Sequence, residues 1–133
     1  KTKIPIIVHA HGDNFDKLDM VRKFSNVIGS TQTDSFGKME NFGGFTDGDR
    51  CVFLAEYFKA KKIVLVGMDF GKKIGKYSKE RVVNPKIKLK KLRDGKKIVE
   101  WLGTKSKAEL YSTQKIKGFK MIKLVDLEYI ENF

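Results

Sequence analysis

Two short apolar segments rich in β-branched residues constrain the fold of this chain more than any other feature. Residues 3–10 read "KIPIIVHA" and residues 62–70 read "KIVLVGMDF". Apolar runs of this length are typical of strands buried on both faces, as in parallel sheets. Segments with helical spacing of their apolar residues follow in the chain, which predicts βαβ units with right-handed crossovers. The predicted fold class is therefore α/β with a mostly parallel sheet.

The first half of the chain is predicted to contain one helix after the first strand. Apolar residues over 15–28 recur at helical spacing, and Gly29 is placed to end that helix. Residues 30–33, "STQT", are a candidate short strand. Residues 34–45 are predicted to form a loop rich in glycine, asparagine and aspartate.

Two further helices and a final strand are predicted in the second half. Thr46 and Asp49 have the spacing of a capping pair for a helix over 47–60. Leucines and valine at helical spacing predict a basic amphipathic helix over 87–103. A partly alternating apolar pattern over 118–133 predicts the last strand.

The composition is that of one globular domain. The chain has 133 residues, 41% of them hydrophobic, which suits a single modest core. No apolar run approaches the roughly 20 residues that span a bilayer, and no signal-peptide pattern is present. The single cysteine, Cys51, lies in an apolar segment and is predicted to be a small buried hydrophobic residue. These features favour a cytoplasmic protein without a membrane partner.

The formal net charge of +12 leaves several interpretations open. Lysine enrichment can belong to a solvated surface, to a field that attracts a polyanion, or to the surroundings of a phosphorylated ligand. The basic segment "KIKLKKLRDGKK" (86–97), together with Phe70, Tyr77 and Trp101 as stacking residues, is compatible with nucleic-acid binding. Its leucines at helical spacing are explained more simply by a core face, so nucleic acid is disfavoured as a partner.

Acidic residues follow both predicted strands and begin a predicted helix. Asp13 comes after the first strand, Asp69 ends the second, and Asp47 and Asp49 lie at the start of the helix between them. Because ligands of open parallel sheets bind beyond the carboxyl ends of the strands, these loops are expected to meet at one edge. Oxygen ligands of this kind suit Mg²⁺ with substrate phosphates. Helix caps and a turn are the alternative explanation for each aspartate taken singly.

The stretch "NFGGFTDGDR" (41–50) has the composition of a phosphate-binding loop. Gly43, Gly44 and Gly48 would let backbone N–H groups approach an anion at a helix N-terminus. Arg50 opposes the helix dipole there unless an anion meets it. Neither a Walker-type loop nor G-x-S-x-G occurs, and zinc is disfavoured because few further ligands lie near the histidines. His11 is either a ligand contact, an acid–base group or a structural histidine.

Three blocks of the sequence, taken in order, resemble the archaeal 6-hydroxymethyl-7,8-dihydropterin pyrophosphokinases. The blocks are "VHAHGDN" (8–14), "NFGGFTDGDR" (41–50) and "VGMDFG" (66–71). These enzymes are related to the catalytic domain of thiamin pyrophosphokinase, and the resemblance covers about residues 4–103. It implies a three-layer α/β sandwich of that type, with residues 1–133 as a single domain.

The resemblance implies Mg²⁺-dependent transfer of diphosphate from ATP to the hydroxymethyl group of a reduced pterin, with release of AMP. The pathway would be tetrahydromethanopterin or folate-type pterin biosynthesis. Another nucleotide-dependent transferase on the same scaffold, such as thiamin pyrophosphokinase or a sugar transferase, is an alternative, because a fold does not fix a substrate. A non-catalytic nucleic-acid-binding module is the alternative from another class.

The chemistry of the loops and the resemblance, taken together, predict a set of site residues. The expected catalytic residues are Asp13, Asp47, Asp49 and Arg50. The expected nucleotide contacts are His11, Asn14, Gly43, Gly44, Thr46, Gly48, Lys72 and Lys73. The expected Mg²⁺ ligands are Asp13, Asp47, Asp49 and Asp69.

Members of this family are longer, with an N-terminal segment that carries an acidic metal-binding element of its own. The chain is therefore expected to be the C-terminal portion of a longer family member. An isolated portion of this kind can expose a sheet edge, which makes a homo-oligomer possible.

Overall fold

A computed structural model describes residues 4–71 and 84–127 of the chain. The chain divides into two compact units, Lys1–Gly43 and Gly44–Phe133. Residues 71–85, "GKKIGKYSKERVVNP", are basic and contain two glycines, which predicts a loop, and most of this segment lies outside the described residues, including Lys72 and Lys73. The end of the predicted final strand, from residue 128 onward, also lies outside them.

The first unit contains a three-stranded parallel sheet. Strand β1 (Ile6–His9) pairs with β2 (Val27–Ser30), and β2 pairs with β3 (Met39–Glu40). The register places His9 beside Ser30 and Ser30 beside Glu40, so the three strands end side by side. The first predicted strand is therefore confirmed.

The helix predicted over 15–28 is wrong in type and extent. The segment is a 3₁₀ helix, Phe15–Lys23, with no buried residue, and Phe24 has extended backbone at φ −108° and ψ 142°. Strand β2 follows and begins with two β-branched residues whose pairing with β1 outweighs the helical spacing. The strand predicted at 30–33 therefore lies earlier in the chain, and β3 falls within the predicted loop at 34–45.

The second unit alternates helices and strands. It contains α1 (Asp47–Tyr57), β4 (Lys62–Leu65), α2 (Pro85–Gly103), β5 (Glu109–Ser112) and β6 (Lys120–Met121). Strand β4 pairs with β5 and β5 with β6, and both pairings are parallel. The α/β class is confirmed, because all strand pairings in the described ranges are parallel apart from one isolated antiparallel bridge in the first unit.

The predicted elements of the second unit differ from the observed ones mainly at their ends. Helix α1 ends at Tyr57, and β4 ends at Leu65 because the backbone turns at Gly67, where φ is +70°. Helix α2 matches its prediction and passes through Gly95 without interruption. Strand β5 was not predicted, and β6 is only two residues of the predicted final strand.

The core of the second unit lies between the two helices and the sheet. Its buried apolar side chains come from α1, α2, β4, β5 and the segment after β5. They are Val52, Ile63, Leu65, Val99, Leu102, Leu110 and Ile116. Burial of such side chains, rather than the propensity of either helix, supplies most of the stabilisation of this unit.

Cys51 and Trp101 lie on the exposed sides of the two helices. The prediction that Cys51 is buried is wrong: it is exposed, because the adjacent Val52 takes the core-facing position with 2% exposure. Trp101 is 56% exposed and stacks on Phe53, with ring centroids 6.3 Å apart and planes 10° from parallel. This stacking joins α1 to α2 at the surface. Neither α1 nor α2, nor any other described helix, has the length and apolar character of a membrane span.

Candidate functional site

In the first unit, polar residues follow the carboxyl end of each strand. Strand β1 leads into His11–Asn14, β2 into Thr31 and Thr33, and β3 into Asn41. Because the three strands are parallel and in register, these segments lie at one edge of the sheet. This edge is where ligands of open α/β sheets bind.

The loop after β1 is held by the side chain of Asn14. Its Nδ2 donates to the carbonyl oxygen of His9 at 2.9 Å, and its Oδ1 accepts from the backbone N–H of His11 at 2.9 Å. Asn14 thus closes the loop on itself. The loop displays His11 and Asp13, whose Nδ1 and Oδ1 atoms are 2.9 Å apart and whose side chains are 45% and 74% exposed.

Sequence reasoning missed the polar residues that follow β2. Ser30 and Thr31 are buried, at 2% and 5% exposure, and Ser30 Oγ lies 2.8 Å from Nδ1 of His9. Thr31 Oγ1 lies 3.0 Å from Thr33 Oγ1, and Asn41 Nδ2 donates to the carbonyl of Thr33 at 2.9 Å. The hydroxyl-rich stretch "STQT" (30–33) was the available signal, and it was missed because it was assigned to the strand itself and not to the end of the strand and the segment that follows.

In the second unit, the glycine–aspartate loop (residues 44–49) includes the N-cap and the first residues of helix α1. Thr46 and Asp49 form the predicted capping box, which is confirmed. Oδ1 of Asp49 accepts from the backbone N–H groups of Phe45 and Thr46 at 2.6 and 2.7 Å, and Oδ2 accepts from the hydroxyl of Thr46 at 3.1 Å. Asp49 is fully buried. These bonds satisfy donors that an α-helix leaves open at its N-terminus.

Gly44 lets this loop pass close to the backbone of α1. A Cβ at Gly44 would lie 2.5 Å from Cα and 2.7 Å from N of Arg50, and the φ of Gly44 is +83°. Both the space and the backbone conformation therefore require glycine. Arg50 itself is buried, at 7% exposure, while Asp47 and Gly48 are exposed.

The third block, after β4, lies against the glycine–aspartate loop. A Cβ at Gly48 would be 3.1 Å from Cε of Met68. A Cβ built on Gly95 of α2 would be 2.6 Å from Oδ2 of Asp49 and 3.7 Å from the ring of Phe70. Asp69 is exposed and its Oδ1 accepts from the N–H of Gly71 at 2.8 Å, which forms a tight turn. The second unit thus brings the second and third blocks together.

The expected site residues therefore fall into three groups. Thr46, Asp47, Gly48, Asp49 and Asp69 lie around one end of the second unit, with Gly44 and Arg50 at the same loop. His11, Asp13, Asn14 and Gly43 belong to the first unit, and Lys72 and Lys73 lie outside the described residues. Across 4–71 and 84–127, no group of three or more His, Cys, Asp and Glu side chains has the spacing of a metal site. The Mg²⁺ ligand set stays a prediction.

One electrostatic pair of the second unit lies away from this loop. The hydroxyl of Tyr111 donates to Oε2 of Glu109 at 2.7 Å. This bond lowers the pKa of Glu109 and raises the pKa of Tyr111. Glu109 is the first residue of β5, at the end opposite the carboxyl edge, so the pair is not part of the candidate site.

The chain is similar to one protein family and to several curated proteins. A family described as "6-hydroxymethylpterin diphosphokinase MptE-like" matches residues 1–75. A protein of Pyrococcus furiosus named "6-hydroxymethyl-7,8-dihydropterin pyrophosphokinase" is 48% identical over 112 residues, which cover 81% of this chain and 48% of the relative.

Two further relatives carry the same name. The protein of Methanocaldococcus jannaschii is 47% identical over 115 residues, covering 78% of this chain and 48% of the relative. That of Methanothermobacter thermautotrophicus is 42% identical over 106 residues, covering 73% and 44%. The chain thus spans about half the length of these relatives. No solved structure matches it.

Proposed function

Because the chain belongs to the 6-hydroxymethylpterin diphosphokinase MptE-like family, we propose that it takes part in the transfer of diphosphate from ATP to 6-hydroxymethyl-7,8-dihydropterin. The observation that carries this proposal is the 42% to 48% identity to three relatives named as that pyrophosphokinase. Since the chain spans about half of each relative, the activity is proposed for the complete protein.

The chemistry to be supported is a phosphoryl-type transfer. The hydroxymethyl oxygen attacks the β-phosphorus of ATP, the bond from that phosphorus to the oxygen shared with the α-phosphorus breaks, and AMP leaves. The hydroxyl proton is released to solvent or to a nearby base. Catalysis of such a step depends mainly on positioning the reactants and on stabilising negative charge.

The glycine–aspartate loop has the features needed to hold the ATP phosphates. It contains the N-terminus of the 11-residue α-helix α1. The partial positive charge and the outward-pointing backbone N–H groups of a helix N-terminus favour an anion. Gly48 and Asp47 are exposed at this end, so an anion has access to it. Arg50 is in the first turn of the same helix, and we propose that its charge contributes to phosphate binding. Lys72 and Lys73 are proposed as further phosphate contacts.

The donor set fits a Mg²⁺ ion that keeps most of its water. Asp47 and Asp69 are exposed carboxylates on adjoining segments of the second unit. Asp49 fits less well, because both of its oxygens already accept hydrogen bonds and the side chain is fully buried. Mg²⁺ commonly takes only one or two carboxylates together with substrate phosphates. We therefore propose Asp47 and Asp69 as ligands; when bound, the ion would neutralise phosphate charge.

The residues of the first unit are proposed to act on the same reaction. His11 and Asp13 form an exposed pair at the carboxyl edge of their sheet, where Asp13 was also predicted as a metal ligand. Asn14 is proposed to position these two side chains, since its side-chain oxygen accepts from the backbone N–H of His11 and its side-chain nitrogen donates to the carbonyl oxygen of His9. Gly43 has a φ of +90°, and we propose that this backbone conformation leaves space for a ligand beside the chain.

Two finer proposals follow from the family resemblance. We propose a three-layer sandwich like the catalytic domain of thiamin pyrophosphokinase for the complete protein. We also propose a place in tetrahydromethanopterin or folate-type pterin biosynthesis.

The direct test of the proposed activity incubates two forms of the protein with Mg²⁺, ATP and hydroxymethyl-dihydropterin. One form is the chain itself, and the other is a longer form extended to the length of the relatives. AMP and pterin diphosphate are expected from the longer form, and the absence of both would refute the proposal.

Asp47 and Asp49 form a matched pair of variants for the nucleotide site. Asp47→Asn is expected to weaken Mg-ATP binding about tenfold with little effect on the free energy of unfolding, because the side chain is exposed. Asp49→Asn is expected to lower the stability by about 1 kcal/mol and to weaken Mg-ATP binding less than Asp47→Asn does, because the amide oxygen of asparagine can still accept from the backbone N–H groups of Phe45 and Thr46. Isothermal titration with Mg-ATP and urea denaturation measure the two quantities. If Asp47→Asn and wild type bind Mg-ATP with equal affinity, Asp47 is excluded as a Mg²⁺ ligand.

The basic face of α2 tests the nucleic-acid alternative. Lys90 and Lys91 are both exposed in the N-terminal half of this helix. The double variant Lys90→Gln/Lys91→Gln is expected to change Mg-ATP affinity less than about twofold, because long surface lysines are mostly solvated. Titration of wild type and variant with Mg-ATP and with a single-stranded RNA oligonucleotide measures this. Tight RNA binding by wild type that the variant loses would favour the nucleic-acid module instead.

A further inference from the structure

Gly95 lies in the middle of α2, at a position where most helices would carry a side chain. Helix α2 runs without a break from Pro85 to Gly103, and Gly95 is buried in it. Glycine inside a helix is destabilising relative to alanine, because it loses more backbone freedom on folding. The described structure gives a reason for this cost in the residue that faces Gly95.

That residue is Asp49 of the glycine–aspartate loop. A Cβ on Gly95 would lie 2.6 Å from Oδ2 of Asp49, which is closer than such atoms approach, and 3.7 Å from Oγ1 of Thr46. The absence of a side chain at Gly95 therefore creates the space that the carboxylate of Asp49 occupies. Asp49 is fully buried in this space.

The carboxylate cannot move aside at low cost. It accepts two backbone N–H groups and one hydroxyl group, all from the glycine–aspartate loop. A methyl group at Gly95 would push Oδ2 away from the hydroxyl of Thr46 and would disturb the bonds from Phe45 and Thr46 to Oδ1. By contrast, the close neighbour of Gly48 is the flexible end of Met68, which can shift easily.

We propose that Gly95 is a positioning residue for the proposed triphosphate site: it admits the carboxylate that fixes the backbone of the glycine–aspartate loop in its anion-binding form. This inference rests on the proposed function. Gly95 touches no reacting atom and acts through Asp49 and the loop. The ligand served is the phosphate chain of Mg-ATP, which needs N–H groups held in fixed directions.

Gly103 offers a matched control in the same helix. A Cβ there would also be crowded, at 3.0 Å from the carbonyl oxygen of Lys117 and 3.3 Å from Cα of Gly118. The crowding at Gly103 involves the turn before β6 and none of the loop residues. Gly95→Ala and Gly103→Ala are therefore the same substitution in one helix, with nearest contacts of 2.6 and 3.0 Å to different neighbours.

The experiment measures Mg-ATP affinity by isothermal titration and the exchange of individual backbone amides by NMR. Gly95→Ala is expected to weaken Mg-ATP binding about tenfold, as for the loss of one hydrogen bond to a charged oxygen. It is also expected to accelerate amide exchange at Phe45 and Thr46 at least about tenfold. Gly103→Ala should leave both quantities close to their wild-type values, whatever its melting temperature.

Each other outcome has a defined meaning. If Gly95→Ala keeps wild-type affinity and wild-type exchange at Phe45 and Thr46, the inference is overturned, even if the variant is less stable. If wild type itself does not bind Mg-ATP, the proposed function fails for this chain, and amide exchange alone decides whether Gly95 positions the loop. If Gly95→Ala does not fold, Asp49→Ser and Gly95→Ala/Asp49→Ser are compared. Folding of both variants supports the contact with Asp49, whereas folding of Asp49→Ser alone refutes it.

Discussion

Replacing Gly44 by alanine is expected to lower the free energy of unfolding by about 4 kcal/mol, the largest loss expected of any single substitution in the glycine–aspartate loop. The added methyl group would lie 2.5 Å from Cα and 2.7 Å from N of Arg50. Because these are backbone atoms at the start of α1, no side-chain rotation can relieve the contact. The φ of +83° adds the strain of a left-handed conformation. Urea denaturation followed by circular dichroism measures the change.

Gly37 provides the control that separates these two causes. It also has a positive φ, of +56°, but a Cβ there would meet no atom within 4 Å. Gly37→Ala is therefore expected to cost only about 1 kcal/mol, from backbone strain alone. If Gly44→Ala proved no more destabilising than Gly37→Ala, the close approach of the loop to Arg50 would be refuted.

Replacing Asp49 by alanine is expected to lower the free energy of unfolding by about 3 kcal/mol. Alanine removes the acceptor for the backbone N–H groups of Phe45 and Thr46 and for the hydroxyl of Thr46. It also leaves an empty space against Gly95 of α2. The same urea denaturation measures the loss, with Asp47→Ala as the matched control.

Asp47 lies two residues before Asp49, outside this hydrogen-bond network, and is exposed. Asp47→Ala is therefore expected to change the free energy of unfolding by less than about 0.5 kcal/mol. Similar losses for Asp47→Ala and Asp49→Ala would contradict the capping geometry. A loss restricted to Asp49→Ala would assign the stabilising role to the buried carboxylate.

The parts of the fold that were predictable are those in which local pattern and tertiary packing agree. The β-branched runs at β1 and β4 form strands, and the capping pair Thr46 and Asp49 begins α1 where expected. In α2 the apolar positions that face the core, such as Val99 and Leu102, are those with helical spacing. Local sequence was sufficient in these segments because nothing in the packing opposes it.

The segment from Phe15 to Ser30 was mispredicted because its pairing partner is distant in sequence. Its apolar spacing favours a helix, yet Val27 and Ile28 align with Ile6 and Ile7 of β1. Periodicity within a window contains no information about such a partner. Strand β5 was missed for a related reason: "ELYS" is short and mixed, and its strand character comes from pairing between β4 and β6.

The residue types of the candidate site were predictable from the sequence, but the role of each residue was not. The sequence marks Asp49 as the capping partner of Thr46, but it does not show that Asp49 is fully buried while Asp47 is exposed. The burial of Asp49 depends on the approach of α2 at Gly95, and that contact joins residues far apart in the chain. Likewise, the amide of Asn14 was predicted at a ligand but bonds the backbone of its own loop.

Trp101, which stacks on Phe53, allows the fluorescence of the second unit to be measured separately. Trp101 is the single tryptophan of the chain, and residues 1–43 contain no tyrosine. Emission excited at wavelengths that tyrosine and tryptophan absorb therefore arises entirely from the second unit. Comparing its unfolding midpoint with the midpoint from backbone ellipticity, to which both units contribute, would reveal whether the first sheet and the second sheet melt together or in separate steps.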